Sequence, residues 1–351
     1  MPDIPKTMKA VVYRGVNDLR VETLPVPAIT AKDILVRVVV CGVCPTDIKK
    51  IQYGTVPPPR VFGHETSGTV VKVGACVRGF RVGQRVALHH HVPCMKCHAC
   101  RHAAFAQCAQ YKKTGIAAGF EPAGGGYAEY VRVMPFVFPG VVPIPTRNAF
   151  EEGAMLEPVN TVLKAVRRLN VLPGDHVLVV GQGPIGLMFT RLLALRKVNV
   201  IASDLIPERL KLAKKFGAKF TFQPNGGARP AFPQPDAAIV ATPSDEVVRE
   251  CLDQIRGAGQ ILLFAHTKRG GETQLDLSKI CVDEKDLIGS YSSDLTIQNE
   301  VARLVFSRKL DVRPLITHRF ALRQTADAIA LAARPSAGAL KIVVDQTIRP
   351  G

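Results

Sequence analysis

The stretch VLVVGQGPIG, Val177–Gly186, constrains this chain more than any other. Four apolar residues run straight into Gly181, Gly183 and Gly186, spaced G-x-G-x-x-G, and a helix-compatible sequence follows. Alone, that spacing is a weak signal; between a strand and a helix each glycine has a physical task. Gly181 permits a tight turn, Gly183 lets the backbone approach a pyrophosphate, and Gly186 lets helix and strand pack closely. Pro184 and Ile185 complete a loop whose helix N-terminus holds the anion. The next apolar run, VNVIASD, ends on Asp204, 23 residues after Gly181. A carboxylate there accepts hydrogen bonds from adenosine ribose hydroxyls and repels a 2′-phosphate, so NAD is expected over NADP. Arg209, five residues further on, is a candidate cofactor contact and the residue best placed to oppose that preference.

Around this motif the pattern is strand then helix, repeated. Thr161–Asn170 reads as a helix, His176–Val180 as a strand, Ile185–Arg196 as a helix, Val198–Ser203 as a strand and Pro207–Phe216 as a helix. Asp236–Ala241, Ser244–Arg256, Gly259–Ala265 and Asp286–Gly289 continue the alternation. Such a succession predicts an α/β fold with a doubly wound parallel sheet and right-handed crossovers. The first 150 residues differ. KAVVYRG, DILVRVVV, SGTVVKVG and RVALHH are short β-branched runs separated by Gly and Pro, as in strands joined by turns. After residue 293, two helical stretches (Glu300–Phe306, Gln324–Ala333) and a strand (Leu340–Val344) can rejoin the first part. The expected division is a discontinuous domain of 1–158 with 293–351, and a dinucleotide-binding domain of 159–292.

Nine cysteines stand in a chain of 351 residues, and their distribution is uneven. Cys94, Cys97, Cys100 and Cys108 fall within a Gly- and Ala-rich stretch, 93–128, that shows little periodicity. Four thiolates at that spacing form a closed tetrahedral shell for Zn²⁺, the arrangement of a structural site, which would order a loop without a core of its own. An Fe–S cluster would also use four Cys. A disulfide framework is the poorer alternative in a chain this long whose N-terminus, MPDIPKTMKA, lacks the apolar core of a signal peptide. A second set is looser. Cys44, in CGVCPTD, and His64, in GHE, could supply two of the three ligands of a catalytic zinc with an open position. Glu157, in LEPVNT, could be the third; a lone His and a lone Glu are otherwise common structural residues.

Taken together, CGVCPTD, GHETSGTVVKVG, the four-Cys loop, LEPVNT, VLVVGQGPIG and Asp204 resemble, in order and over nearly the whole chain, the zinc-dependent medium-chain dehydrogenase/reductase family of alcohol and polyol dehydrogenases. The resemblance implies a β-rich GroES-like catalytic domain, a Rossmann domain, NAD and two zinc ions per subunit. It implies Cys44, His64 and Glu157 as catalytic-zinc ligands, with Glu65 behind them or ligating transiently and Cys41 in the core. Thr46 matches the hydroxyl that bonds the substrate oxygen, Asp47 the carboxylate that orients the zinc-bound His, and Thr161 a hydroxyl near the nicotinamide. Lys341 matches loosely a basic residue near the pyrophosphate. Two positions depart from the family: Pro45 follows the ligand directly, and Lys49 stands where many members have a His that passes the proton to solvent. Lys49 is read in three ways: relay, solvated bystander or phosphate contact.

The implied chemistry is oxidation of a secondary alcohol, with Glu157 and the GSYS stretch (Gly289–Ser292) leaning towards polyols, sugars and related hydroxyl compounds. A simple alcohol dehydrogenase and a phosphorylated-polyol dehydrogenase are the alternatives within enzymes. The net charge of +17, from 46 Lys and Arg against 29 Asp and Glu, suits a phosphorylated substrate. It also raises a zinc-stabilised nucleic-acid-binding protein. That reading leaves Gly181–Gly186, Asp204 and the Cys44 set unexplained, and the chain has no Trp and no aromatic-rich basic motif. The expectation is therefore a small-molecule hydroxyl substrate, no nucleic-acid or membrane partner, a cytoplasmic location and a homo-oligomer, dimer or tetramer.

Overall fold

The computed structural model describes residues 3–120, 124–225, 231–265, 270–334 and 336–348. The chain forms two compact units, Met1–Pro158 with Asp294–Gly351, and Val159–Ser293. In the first, β1 (Thr7–Gly15) and β2 (Asp18–Pro25) make an antiparallel hairpin. Next come β3 (Ile34–Gly42), α1 (Pro45–Tyr53), β4 (Arg60–Val61), β5 (Glu65–Val73) and β6 (Arg85–Leu88). A loop region then carries α2 (His98–Arg101) and β7 (Ile116–Ala117), followed by β8 (Tyr130–Val133), β9 (Val142–Pro143), α3 (Phe150–Ala154) and the start of α4 (Leu156–Val166).

The second unit holds β10 (His176–Val180), α5 (Pro184–Leu195), β11 (Asn199–Ser203), α6 (Pro207–Phe216), β12 (Ala218–Phe222), β13 (Ala237–Val240), α7 (Asp245–Gln254), β14 (Gln260–Leu263), α8 (Leu277–Cys281) and β15 (Asp286–Gly289). Its sheet runs β12-β11-β10-β13-β14-β15, and every pairing is parallel. β10 is therefore central, and the strand order reverses beside it. Ligands of such sheets bind outside the carboxyl ends of the strands at that reversal. Val177–Val179, Val200–Ala202 and Ala237–Val240 are buried, the continuous apolar reading of a sheet covered on both faces.

The chain then returns to the first unit through α9 (Gln298–Phe306), β16 (Ile316–Phe320), α10 (Thr325–Ala332) and β17 (Lys341–Asp345). β17 pairs antiparallel with β3, in a sheet whose main path is β16-β17-β3-β5-β6-β9. A core of β-branched side chains, among them Val12, Ile34, Val36, Val70, Val86, Val131 and Val344, fills this unit. Among the described residues, no helix is long and apolar enough to cross a membrane.

Candidate active site and metal centres

α1 positions the first donor set. Pro45 fills its first position, where a missing N–H costs nothing, Asp47 sits in its first turn, and Gly54 closes it in the left-handed conformation at φ 61°. Cys44 is the N-cap residue, and its side chain makes no capping bond, which leaves the sulfur for other work. Cys44, His64 and Glu65 bring one ligand atom each within 4.8 Å of one another. Asp47, fully buried, accepts from the Gly63 N–H at 3.2 Å and lies 3.1 Å from His64 Nδ1. That contact fixes the ring and leaves Nε2 as the nitrogen for a ligand. Burial works against charge on His64, but Asp47 and Cys44 outweigh it and hold the imidazole well above its ordinary range.

Glu65 opens β5 and forms a buried ion pair with Lys341, the first residue of β17; Lys341 Nζ also donates to the Val43 carbonyl at 2.9 Å. Burial disfavours the ammonium, yet Glu65 and Cys44 keep its pKa above the ordinary lysine value. Gly42 makes the arrangement possible, because a Cβ there would collide with the Glu65 carboxylate. Lys341 is thus paired with Glu65 inside the first unit.

The sequence expectation ranked Glu157 as third ligand and Glu65 behind it. The coordinates instead group Glu65 with Cys44 and His64, and Glu157, at the start of α4, stands outside that cluster. Burial pushes the Glu157 carboxyl up to about 7; His64 and Lys341 pull it down while Glu65 and Asp47 add to the rise. Thr46 is half-buried on the first turn of α1. Lys49, one turn on, is half-buried, and burial lowers its pKa from the ordinary lysine value.

Removing one partner of a buried ion pair strands the other. Lys341→Met should therefore destabilise the metal-free protein by about 3–5 kcal/mol. The Glu65→Gln/Lys341→Met double variant should recover most of that loss. Urea midpoints of the three proteins check this; a single variant as stable as the parent contradicts it.

The second donor set is the loop of Cys94, Cys97, Cys100 and Cys108, whose sulfurs also lie within 4.8 Å of one another. Its local core is small, with Phe105, Ala106 and Tyr111 packed beside Cys100 and Cys108. Burial raises the Cys108 thiol, but the backbone N–H groups of Cys94 and Tyr111 prevail and bring it down to about 6. Cys100 is pushed up to about 12, by burial first and then by Cys97 and Cys108. Four converging sulfurs repel one another as thiolates, and a divalent cation among them removes that conflict, so the donor set fits a closed zinc site.

In the second unit the glycine motif takes the expected form. Gly181 has φ 90°, and a Cβ on Gly186 would strike the Gly181 carbonyl. Gly183 caps α5 and Pro184 starts it, so free N–H groups face the site of a pyrophosphate. Asp204 does more than the sequence suggests: its carboxylate accepts from the Gln182 N–H at 2.6 Å and the Ile206 N–H at 2.8 Å, tying the glycine loop to the end of β11. Arg209 Nη1 lies 3.8 Å from Asp204, and a Cβ on Gly183 would lie 3.9 Å from the same nitrogen. Thr161 is buried within α4.

One group has no counterpart in the sequence reading. His89, His90 and His91 follow β6. Burial drives His89 down to about 4, His91 to about 3 and His90 well below the ordinary range, so all three are neutral. Three consecutive histidines are visible in the sequence, but their burial is not.

Comparison with known proteins places the chain in a family. Residues 30–146 match the alcohol dehydrogenase GroES-like domain, and residues 184–307 match the zinc-binding dehydrogenase domain. Sorbitol dehydrogenase of Bombyx mori is 30% identical over 95% of this chain and 97% of its own length. The chain belongs to the zinc-dependent medium-chain dehydrogenase/reductase family. Sorbitol dehydrogenase of Bacillus subtilis (strain 168), another full-length relative of this medium-chain dehydrogenase, is 29% identical over 97% of the chain and 98% of its own length. A solved structure from Sinorhizobium meliloti 1021, described as a zinc-binding dehydrogenase bound to NADP, superposes with a TM-score of 0.87 at 27% identity. It covers 97% of this chain and 100% of its own. An alcohol dehydrogenase from E. coli CFT073 in complex with NADH gives a TM-score of 0.85 at 26% identity, covering 97% and 100%. As a medium-chain dehydrogenase the chain is a zinc-dependent oxidoreductase that uses a nicotinamide dinucleotide.

Proposed function

We propose that this enzyme oxidises a secondary hydroxyl of a polyol or sugar and prefers NAD. The observation that carries the reading is the Cys44–His64–Glu65 donor cluster, with Glu157 beside it, in a chain whose full-length relatives include proteins named sorbitol dehydrogenase. Bound zinc supplies Lewis acidity towards the substrate oxygen, and NAD supplies the hydride acceptor. Cys44, His64 and Glu65 would hold the ion, a thiolate–imidazole–carboxylate set that suits zinc and leaves a position open. Asp47 orients His64, and Lys341 orients Glu65. Thr46 bonds the substrate hydroxyl and passes its proton on towards solvent. The Gly181–Gly186 loop and the start of α5 hold the pyrophosphate, and Asp204 faces the adenosine ribose.

A panel of polyols, sugars, phosphorylated polyols, amino alcohols and simple alcohols, scored by NADH absorbance, tests the substrate class. Polyols and sugars should give the highest kcat/KM. Faster turnover of simple primary alcohols overturns the substrate reading, and faster turnover of phosphorylated polyols favours the phosphorylated alternative. Asp204→Ala should raise the KM for NAD and lower the NAD-to-NADP ratio of kcat/KM by about tenfold, equivalent to about 1.4 kcal/mol. Equal kcat/KM for the two cofactors in the parent enzyme contradicts the preference.

The nine free cysteines suit a reducing, cytoplasmic compartment. β15 is the outer strand of its sheet, and Leu277, Val282, Leu287 and Tyr291 are exposed on or near it. An unpaired edge with apolar side chains suits contact with a second copy, so a dimer or tetramer is proposed.

A further inference from the structure

The two donor sets of the first unit are joined by a row of rings in tilted contact. His64 lies 5.2 Å from His90, centroid to centroid, at an interplanar angle of 35°. His90 lies 3.8 Å from His91 at 42°, and His91 lies 5.1 Å from Tyr111 at 38°. Tyr111 is packed in the small core of the four-cysteine loop, against Cys100 and Cys108. The row therefore begins at one donor set and ends in the other. His64, His90 and Tyr111 are buried and His91 is half-buried.

The way His90 is held says what it does. Its Nδ1 is buried and has no hydrogen-bond partner among the described residues. A buried polar atom left unsatisfied is destabilising, so hydrogen bonding through that atom does not explain the residue. What His90 offers is a ring packed beside that of His64, tilted by 35°. The Nδ1 edge of His64 is held by Asp47; a single contact of that kind leaves the ring free to tilt about it, and a ring packed beside it opposes that tilt.

We propose that the row His64–His90–His91–Tyr111 couples the two metal sites, with His90 as a positioning residue: the ordered four-cysteine loop holds Tyr111 and His91, these hold His90, and His90 keeps His64 aligned for its ion. This rests on the two-zinc reading above. Groups that orient a metal-bound His typically change metal affinity by 10–100-fold when removed. The row applies that leverage through packing instead of a hydrogen bond, and it makes retention of the exchangeable-site zinc depend on the closed site.

The test is the rate of zinc release to a chromophoric chelator from the intact, zinc-loaded protein. Two kinetic phases of equal amplitude are expected, the faster from the Cys44–His64–Glu65 site. His90→Ala should accelerate the faster phase by about tenfold or more, while His90→Phe, which keeps a ring and discards the nitrogens, should stay within about threefold of the parent. Tyr111→Leu, remote from His64, should accelerate the same phase, and Tyr111→Phe should not. If His90→Phe releases zinc as fast as His90→Ala, the nitrogen matters and the packing proposal is overturned. It is equally overturned if neither Ala nor Leu variant changes the fast phase. A parent protein that releases a single zinc per chain in one phase removes the two-site reading itself, a failure separate from either of these. The cobalt-substituted enzyme gives a second readout: the ligand-field spectrum of the catalytic ion should shift in His90→Ala and not in His90→Phe.

Discussion

Cys44→Ser should cost the enzyme roughly 10³-fold or more in kcat while leaving it folded, with one zinc per subunit instead of two. Several kcal/mol of charge stabilisation at the substrate oxygen depend on that ion. Yet the residues around Cys44 belong to a large apolar core including Val43, Ile48 and Ile51, so the fold does not depend on it. Cys100→Ser should behave in the opposite sense. The four-cysteine loop has only Phe105, Ala106 and Tyr111 packed with its cysteines, too little apolar surface to order it, and metal binding there is folding free energy. The variant should lose the closed-site zinc, melt at lower temperature and be cleaved by protease between α2 and β7. Metal analysis, circular dichroism and limited proteolysis separate the two outcomes. Two variants that fold, bind two zinc ions and turn over normally would contradict the assignment of both sites.

Thr46→Ala should lower kcat by 10²–10⁴-fold, the span usual for a positioned proton-transfer group, with little change in the NAD KM. Thr46 lies two residues beyond Cys44 on the first turn of α1, close in sequence to the proposed ligand. Thr46→Ser keeps the oxygen and should keep most of the rate. An unchanged kcat in Thr46→Ala removes the hydroxyl from the mechanism. Lys49 follows on the same helix, and burial lowers its pKa, which is the direction a proton acceptor requires. Lys49→Ala distinguishes the three readings of that residue: a relay loses kcat most at low pH, a phosphate contact raises the NAD KM, and a bystander changes neither.

The parallel sheet was legible because each of its strands is a short apolar run bounded by turn residues, and because Gly181, Gly183 and Gly186 have single physical explanations. β2 escaped the sequence reading: DLRVETLP has no fully buried side chain, so burial leaves no periodic mark. β12 and β16 escaped for the same reason, as sheet-edge strands with few buried positions. α1 was hidden by its position directly after a ligand motif, although Pro45 and Gly54 mark both of its ends. At the site, Cys44, His64 and the four-cysteine loop were legible from spacing. The grouping of the Glu65 carboxylate with Cys44 and His64 was not, because it depends on the β3–β5 register that sets Glu65 opposite Gly42 and on room left by the missing Gly42 side chain. The buried pairing with Lys341 spans nearly the length of the chain, and no local pattern announces it.

The most direct test of the account follows a deuterium. A polyol turned over in the substrate panel, deuterated at the carbon that bears the oxidised hydroxyl, is given to the zinc-loaded enzyme with NAD, and the nicotinamide product is weighed by mass spectrometry. The account predicts that the deuterium arrives on the reduced nicotinamide, that the rate drops relative to the unlabelled substrate when chemistry limits turnover, and that Cys44→Ser abolishes the transfer. Reduced nicotinamide without deuterium, or undiminished transfer by Cys44→Ser, would contradict zinc-dependent hydride transfer at the Cys44–His64–Glu65 site.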